Sequence, residues 1–267
     1  MDPSSIIILL AAGCAAGFLV GFFGVQGGII LVPFLLVFLH MLGVSSLVST
    51  HVAFGTSLFV VIFTSAHSVF QCHKSGHVIW RAVITAGMAS IIGAGVGSAI
   101  AGELDGKTLQ RIFAVVMIIA AARVLSEQRR SKGTLEPNFG TPALAGTGLL
   151  VGIVSALTGV GGGMLAIPIM YTVLHFSLQR SIGTSSAIIS ITACATTVGY
   201  MIKGWGNPIL PGWTLGYIDY LHAFPIVVGA VPLASIGARL ASKSSTAILR
   251  RIFAALLLVV AFKMFFL

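Results

Sequence analysis

The sequence is poor in charged side chains, and acidic ones are especially rare. Only 8% of the 267 residues are charged, and six Asp and Glu stand against 15 Lys and Arg. Soluble domains carry roughly 25% charged residues, so this composition could not cover a water-exposed surface. With 57% apolar residues and a mean hydropathy of +1.07, the chain is predicted to be an integral membrane protein.

Cysteine is also scarce, and its spacing excludes further classes of protein. Cys14, Cys72 and Cys194 lie far apart and form no C-x-x-C pair, which argues against a disulfide framework and a metal site. The net charge of +9 includes no basic run that alternates with aromatics, so nucleic-acid binding is not expected. The basic excess is typical of the cytoplasmic loops of membrane proteins.

Catalytic and nucleotide-binding motifs are missing as well. The chain has no G-x-S-x-G nucleophile motif and no ATP-binding motif. Its carboxylates fall at predicted helix ends or in loops, which leaves none to orient a histidine for catalysis. We therefore expect no enzyme, no primary pump and no cofactor. The N-terminus lacks the basic start of a signal peptide, so we expect the first apolar stretch to stay in the mature protein.

Long apolar stretches occupy most of the chain, and each predicts a helix in lipid. They cover residues 5–23, 28–40, 46–72, 78–101, 108–126, 142–158, 163–175, 182–202, 218–240 and 246–266. A polar segment interrupts them after the fifth. The prediction is an all-α integral membrane protein, with a first transmembrane repeat (1–126), a cytoplasmic linker (127–140) and a second transmembrane repeat (141–267).

Two pairs of matching segments indicate that the second repeat is a copy of the first. Gly24-Val-Gln-Gly-Gly, closed by Pro33, lies against Gly159-Val-Gly-Gly-Gly, closed by Pro168. Near the end of each half, Leu109-Gln-Arg-Ile-Phe-Ala lies against Leu249-Arg-Arg-Ile-Phe-Ala. Matches at both ends of one interval favour duplication over chance.

Helix lengths and basic residues together predict the topology. A helix over 28–40 would be only about 20 Å long against a hydrocarbon core of about 30 Å. Residues 5–40, and likewise 142–175, are therefore either re-entrant hairpins or two crossings each. Either choice gives each half an odd number of crossings, which makes inverted repeats.

The orientation follows from the positive-inside rule. With the linker in the cytoplasm, only Lys107, Arg111, Lys203 and Lys263 of the 15 basic residues fall outside. Parallel four-helix halves would split the basic residues almost evenly. We expect inverted repeats with both termini extracytoplasmic.

The glycine motifs predict breaks in the helices, because each glycine in a helix interior costs about 1 kcal/mol relative to alanine. We expect Gly27, Gly28, Gly162 and Gly163 in non-helical backbone, with N–H groups that cradle an anion. The alternative is close helix packing through small residues. The candidate substrate-binding glycines and the amide beside them are Gly24, Gln26, Gly27, Gly28, Gly159, Gly161, Gly162 and Gly163.

Hydroxyl side chains recur on single faces of the helices that follow each motif. Thr50, Ser57 and Thr64 recur every seven residues, and Ser185 shares a face with Thr192 and Thr196. Such hydroxyls donate to anionic oxygens, or alternatively satisfy carbonyls of their own helix. The candidate substrate-binding residues here are Thr50, His51, Ser57, Thr184, Ser185 and Ser186.

No acidic residue lies in the middle of a predicted helix, which favours an anionic substrate over a cation. Any proton coupling would then depend on histidine. His51 and His67 lie inside a predicted helix, and His51 is the stronger candidate. His222 and the other histidines lie near predicted helix ends and suggest no function.

The duplicated glycine motif followed by an apolar run and proline resembles the sulfite exporter TauE/SafE family of membrane transporters. The resemblance covers essentially the whole chain, including the Thr50 and Thr184 regions. Gln26 opposite Gly161, and His51 opposite Ser185, depart from symmetry between the halves.

The resemblance implies a secondary transporter in the inner, cytoplasmic membrane that moves a small sulfur-containing anion by alternating access. The implied substrates are sulfite, sulfoacetate and other organosulfonates, and export is favoured over import. The alternative is an uncoupled anion channel. The expected partners are the small anion and membrane lipid, and the oligomeric state is open, with a homodimer as one possibility.

Overall fold

The computed structural model describes residues 3–23, 27–126, 140–241 and 246–266. These residues form ten helices and, apart from one isolated bridge between Leu215 and Ile218, no strand. The helices are α1 (Pro3–Phe23), α2 (Gly28–Met41), α3 (Ser46–Lys74), α4 (Trp80–Glu103), α5 (Gly106–Ser126), α6 (Thr141–Thr158), α7 (Gly163–Thr172), α8 (Leu178–Gly204), α9 (Tyr220–Ala241) and α10 (Thr246–Phe266). The all-α fold predicted from the sequence is confirmed, while the linker lies outside the described residues except for Gly140.

Within the described residues, seven helices are long and apolar enough to cross a membrane, namely α1, α3, α4, α5, α6, α8 and α9. Their outward faces are apolar: Ile84, Met88 and Ile92, spaced four apart on α4, are each more than 60% exposed. Side chains of this kind are stable against lipid and not against water. By contrast α2, with 14 residues, and α7, with 10, are too short to span about 30 Å of hydrocarbon.

Two helix pairs pack closely through glycine. Gly13 and Gly17 of α1 lie on the backbone of Ile226 and Ala230 in α9, where an added Cβ would overlap main-chain atoms. Gly148 and Gly152 of α6 lie in the same way on α4. Both pairs are small-xxx-small motifs, which let helix backbones approach and gain van der Waals contact in lipid. The glycines of α6 follow those of α1 by the same number of residues that separates Gly24 from Gly159.

Hydrogen bonds between helices fix their relative directions. The Ile79 N–H, before α4, donates to Thr184 near the start of α8, and Lys203 at the end of α8 contacts Glu103 at the end of α4. The helices α4 and α8 therefore run parallel. Since α3 turns back into α4 through a short loop, α3 runs antiparallel to its counterpart α8.

The same argument applies to α9. Thr56 and His67 of α3 bond in that order to Asp219 and Ser235, before and within α9. Hence α9 runs parallel to α3 and antiparallel to its counterpart α4.

Two faces of the bundle follow from these directions. The loop face is the end bordered by residues 205–219, where α3, α5 and α9 begin and α4 and α8 end. The linker face is the opposite end, where α5 ends and α6 begins. α3 joins the two faces through the middle of the bundle and is the most buried of the seven candidate spans.

Candidate functional site

The glycine motif of the second half forms a break between α6 and α7. Gly159, Gly161 and Gly162 have φ angles of +67°, +94° and +72°, the left-handed region that glycine favours. Gly159 ends α6 by donating its N–H to Ser155 O at 2.9 Å, and Gly162 caps the start of α7. The whole stretch from Gly159 to Met164 is buried.

This break leaves main-chain donors free. The N–H groups of residues 160–164 have no hydrogen-bond partner among the described residues, since the first bonds of α7 run from Leu165 and Ala166 to Gly162 O. Buried N–H groups without partners are rare in proteins. Successive free N–H groups at a helix start, with the helix dipole behind them, attract an anion.

The first-half motif is only partly described. Gly24 and Gln26 lie outside the described residues. Gly27 caps α2 in right-handed backbone, and Ile30 and Leu31 donate to its carbonyl just as Leu165 and Ala166 do to Gly162.

The prediction that Gly28 and Gly163 are non-helical is wrong. Both are the first residues of helices, because the main-chain bonds to Gly27 O and Gly162 O already wind the chain there. The expected non-helical backbone at Gly162 is present; Gly27 forms a turn.

The two motifs touch each other in the middle of the bundle. A Cβ on Gly28 would lie 2.5 Å from Val160 Cα, so only glycine allows α2 to begin against the second break. The Ser57 hydroxyl on α3 lies against Gly159 O and also Phe54 O. We call this group the central glycine cluster: Gly27, Gly28, Ser57, Gly159, Gly161, Gly162 and Gly163.

Thr50 and His51 line a separate cavity of about 440 Å³ at the loop face. Thr50 Oγ1 accepts from Gln110 Nε2 at 2.9 Å, and its own O–H has no acceptor among the described residues. His51 Nε2 lies 3.1 Å from both Ala101 O and Leu104 O, so Nε2 carries the proton. The ring stacks on Tyr217 with centroids 4.9 Å apart, and the buried Nδ1 has no partner in the described part of the chain.

Charged groups border this cavity at its exposed rim. Asp105 lies between α4 and α5, and Lys107 lies near the start of α5. The Thr108 hydroxyl and then the Thr108 N–H donate to Asp105, which lowers the pKa of that carboxyl and keeps it ionised. The rim therefore carries one charge of each sign.

Thr184, Ser185 and Ser186 lie at the linker face. Thr184 Oγ1 accepts from the Ile79 N–H at 3.1 Å, and its O–H likewise has no acceptor in the described segments. Ser185 and Ser186 both donate to Ile182 O in their own helix, the alternative that the sequence left open. Ser186 also lies 3.0 Å from Ser68 Oγ on α3.

The predicted site residues thus lie in three places rather than one. Thr50 and Thr184, which align across the repeat, stand at opposite faces with the central glycine cluster between them. The cavity at the loop face is lined by Thr50 and not by Thr184.

A buried acid–base pair was missed. Asp219 Oδ2 lies 2.6 Å from His222 Nδ1, and Asp219 Oδ1 accepts from the His222 N–H at 3.0 Å. Both residues are at most 5% exposed. The expectation that no carboxylate can orient a histidine is wrong, because a loop carboxylate turns inward at the start of α9. The signal available in the sequence was the spacing of three residues between Asp219 and His222 at a predicted helix start.

Apolar spanning helices, a buried helix break and polar groups leading to both faces define a multi-pass membrane transporter. The chain matches the model of the family described as "Sulfite exporter TauE/SafE" over residues 9–264, so it belongs to that family. The resemblance inferred from the glycine motifs is confirmed.

Relatives share nearly the full length of the chain. A Haemophilus influenzae protein named "Probable membrane transporter protein" is 28% identical over 97% of this chain and 98% of its own. Proteins named as probable membrane transporters from Bacillus subtilis (28% identical, 91% of this chain and 90% of the relative) and Methanocaldococcus jannaschii (26%, 91% and 89%) are also similar. No solved structure matches the chain.

Proposed function

We propose that this transporter is a secondary carrier that exports a small sulfur-containing anion across the cytoplasmic membrane by alternating access. The substrates proposed are sulfite, sulfoacetate or another organosulfonate. The observation that carries the proposal is the buried break over Gly159–Gly162. It lies against the start of α2, and the N–H groups of residues 160–164 have no partner among the described residues. The description of the family names sulfite export, which supports the same substrate class.

The chemistry around the central glycine cluster favours an anion. Its donors are main-chain N–H groups beside a helix start, and it contains no carboxylate. Within the described residues the one buried carboxylate is Asp219, which belongs to the loop face. Arg81, Arg123 and Arg180 are exposed near helix ends, so none of these three cations lies in the centre. Neutral donors hold an anion less tightly than a buried cation would, which suits a carrier that must release its substrate.

Alternating access is supported by the directions of the helices. Counterpart helices of the two halves run in opposite directions, as inverted repeats require. In this arrangement Thr50 binds the substrate at the loop face and Thr184 binds it at the linker face. The hydroxyl hydrogen of each has no acceptor among the described residues. In this proposal the substrate passes from one hydroxyl to the other by way of the central glycine cluster.

Exchange measurements in proteoliposomes test the function. Vesicles loaded with unlabelled sulfite are placed in labelled sulfite, sulfoacetate or taurine, with and without a pH gradient. A carrier shows saturable uptake that internal anion accelerates. Uptake that does not saturate and ignores internal anion would instead identify an uncoupled channel.

Gly162→Leu is the variant that tests the central glycine cluster. Residue 162 has a positive φ, and a Cβ there would lie 2.7 Å from Val151 O, so the break must distort and exchange should be lost. Gly146→Leu on α6 is the matched control, because Gly146 is exposed and a Cβ there meets nothing within 4 Å. Wild-type exchange in Gly162→Leu, at equal protein content, would contradict the anion cradle.

A further inference from the structure

The Asp219–His222 pair has the geometry of a proton-binding site. Two bonds hold it together, from the His222 ring and from the His222 main chain, so Nδ1 carries a proton toward the carboxylate. The lone pair is left on Nε2, which has no partner among the described residues. We propose that this pair binds the proton that couples anion transport to the pH at the loop face. The coupling rests on the proposed carrier function.

The aromatic side chains around the pair make its net charge energetically important. His222 lies edge to face with Phe38 of α2, at 5.2 Å between centroids, and with Trp213 of the loop, at 6.1 Å. Among such neighbours an unpaired carboxylate is costly. A proton taken up at Nε2 makes an imidazolium–carboxylate pair of zero net charge, and its loss leaves one buried negative charge. The two states therefore differ strongly in the electrostatic energy of this end of the bundle.

Other ionisable groups on the packed elements are engaged elsewhere. His40 of α2 bonds through Nδ1 to Leu36 O at 2.7 Å, and His51 of α3 bonds through Nε2 to two carbonyls. In the loop, the Tyr217 hydroxyl accepts from Asn207 at 3.4 Å. Lys263 lies near the end of α10 and Tyr220 follows Asp219, and neither is ion-paired or hydrogen-bonded to the pair.

A short chain of contacts connects the pair with the central glycine cluster. The Asp219 N–H donates to Thr56 Oγ1 at 2.9 Å, and the next residue of α3, Ser57, donates to Gly159 O. A shift of Asp219 on protonation thus acts on the same turn of α3 that holds the break. Proton binding at the pair can therefore change the conformation of the proposed anion site.

Trp213 provides a direct measurement of protonation. Imidazolium quenches indole fluorescence far more than neutral imidazole, and the only other Trp–His ring contact among the described residues is His73–Trp80. In a Trp80→Phe, Trp205→Phe background, emission from Trp213 should fall as the pH is lowered and His222 takes up the proton. His222→Gln should abolish that change, while His73→Gln should leave it intact.

A pH-independent signal, or one unaffected by His222→Gln, would overturn the assignment of the proton to this pair. Asp219→Asn is the second variant, because Asn still caps α9 but removes the charge. It should weaken proton binding, so the fall in Trp213 emission should be smaller over the same pH range.

Transport in proteoliposomes tests the coupling. The wild-type rate should depend on the pH at the loop face, because the proposed coupling requires the pair to take up a proton there. His222→Gln should retain anion exchange without that dependence, and His73→Gln should keep it. If exchange occurs but ignores pH in the wild type, the coupling is wrong and the carrier function stands. If no labelled anion exchanges, the carrier function itself is wrong, and the coupling with it.

Discussion

At the scale of single residues, the notable feature is that two threonines aligned across the repeat are used in the same way. Thr50 accepts from Gln110 and Thr184 accepts from the Ile79 N–H, and each keeps a hydroxyl hydrogen without an acceptor in the described residues. Most other buried hydroxyls, such as those of Thr64 and Thr196, donate to carbonyls of their own helix. Thr56 shares this pattern, since it accepts from the Asp219 N–H. Thr50 and Thr184 remain our proposed donors for a ligand because they lie at opposite faces of the bundle.

Replacing either threonine by valine keeps the shape and removes the donor. In Thr50→Val and Thr184→Val we expect anion binding to weaken by about 1.5–3 kcal/mol, the range for a hydrogen bond to a charged group. Isothermal titration calorimetry measures this, with Thr64→Val as the control that loses only an intrahelical bond. Unchanged binding in both variants, together with loss in Arg81→Gln, would contradict both donors and place the anion beside Arg81.

At the scale of helices, the sequence predicts well that each helix exists and approximately where it lies. It predicts poorly which residues of different helices contact each other. Each apolar stretch coincides with a helix, because lipid leaves few alternatives to helical hydrogen bonding. The start of α8 moves from the predicted 182 to Leu178, since Ser177 accepts from the Arg180 N–H and caps the helix earlier. That capping depends on a single side chain that hydropathy does not detect.

The site was harder to predict, because it depends on which way each helix runs. Thr50 and Thr184 look like one cluster in an alignment of the repeats, yet helix direction puts them at opposite faces. Asp219 lies at the end of a predicted helix in the sequence and is buried in the fold. Both outcomes are set by tertiary contacts, which no periodicity in one segment reveals.

The contact between Ser68 of α3 and Ser186 of α8 allows a test of movement between helices. Their Oγ atoms are 3.0 Å apart near the linker face. In a Cys72→Ser background, Ser68→Cys with Ser186→Cys should form a disulfide under oxidation and stop transport by holding α3 and α8 together there. Reduction should restore the rate, and either single cysteine should transport under both conditions. Full transport by the oxidised protein would contradict alternating access through this face.

At the scale of the whole molecule, the prediction concerns orientation in the membrane. The loop face bears Lys107, Arg111 and Lys203 near its helix ends, whereas most basic residues belong to the other face or the linker. By the positive-inside rule the linker should be cytoplasmic and both termini outside. A reporter active only in the cytoplasm should be active when inserted at Ser131 and inactive when fused after Leu267. The reverse result would invert the assignment of the two faces.

The glycine contacts of α1 with α9, and of α4 with α6, also constrain how the protein is made. Each pair takes one helix from either half, so neither half can complete its own packing. During synthesis the Gly13–Gly17 surface of α1 waits in lipid until α9 has been inserted, after all of the helices from α2 to α8. Contacts between such distant segments form slowly. The newly made chain therefore holds α1 without its glycine partner while α2 to α8 are inserted, whereas α4 gains its own glycine partner as soon as α6 follows it.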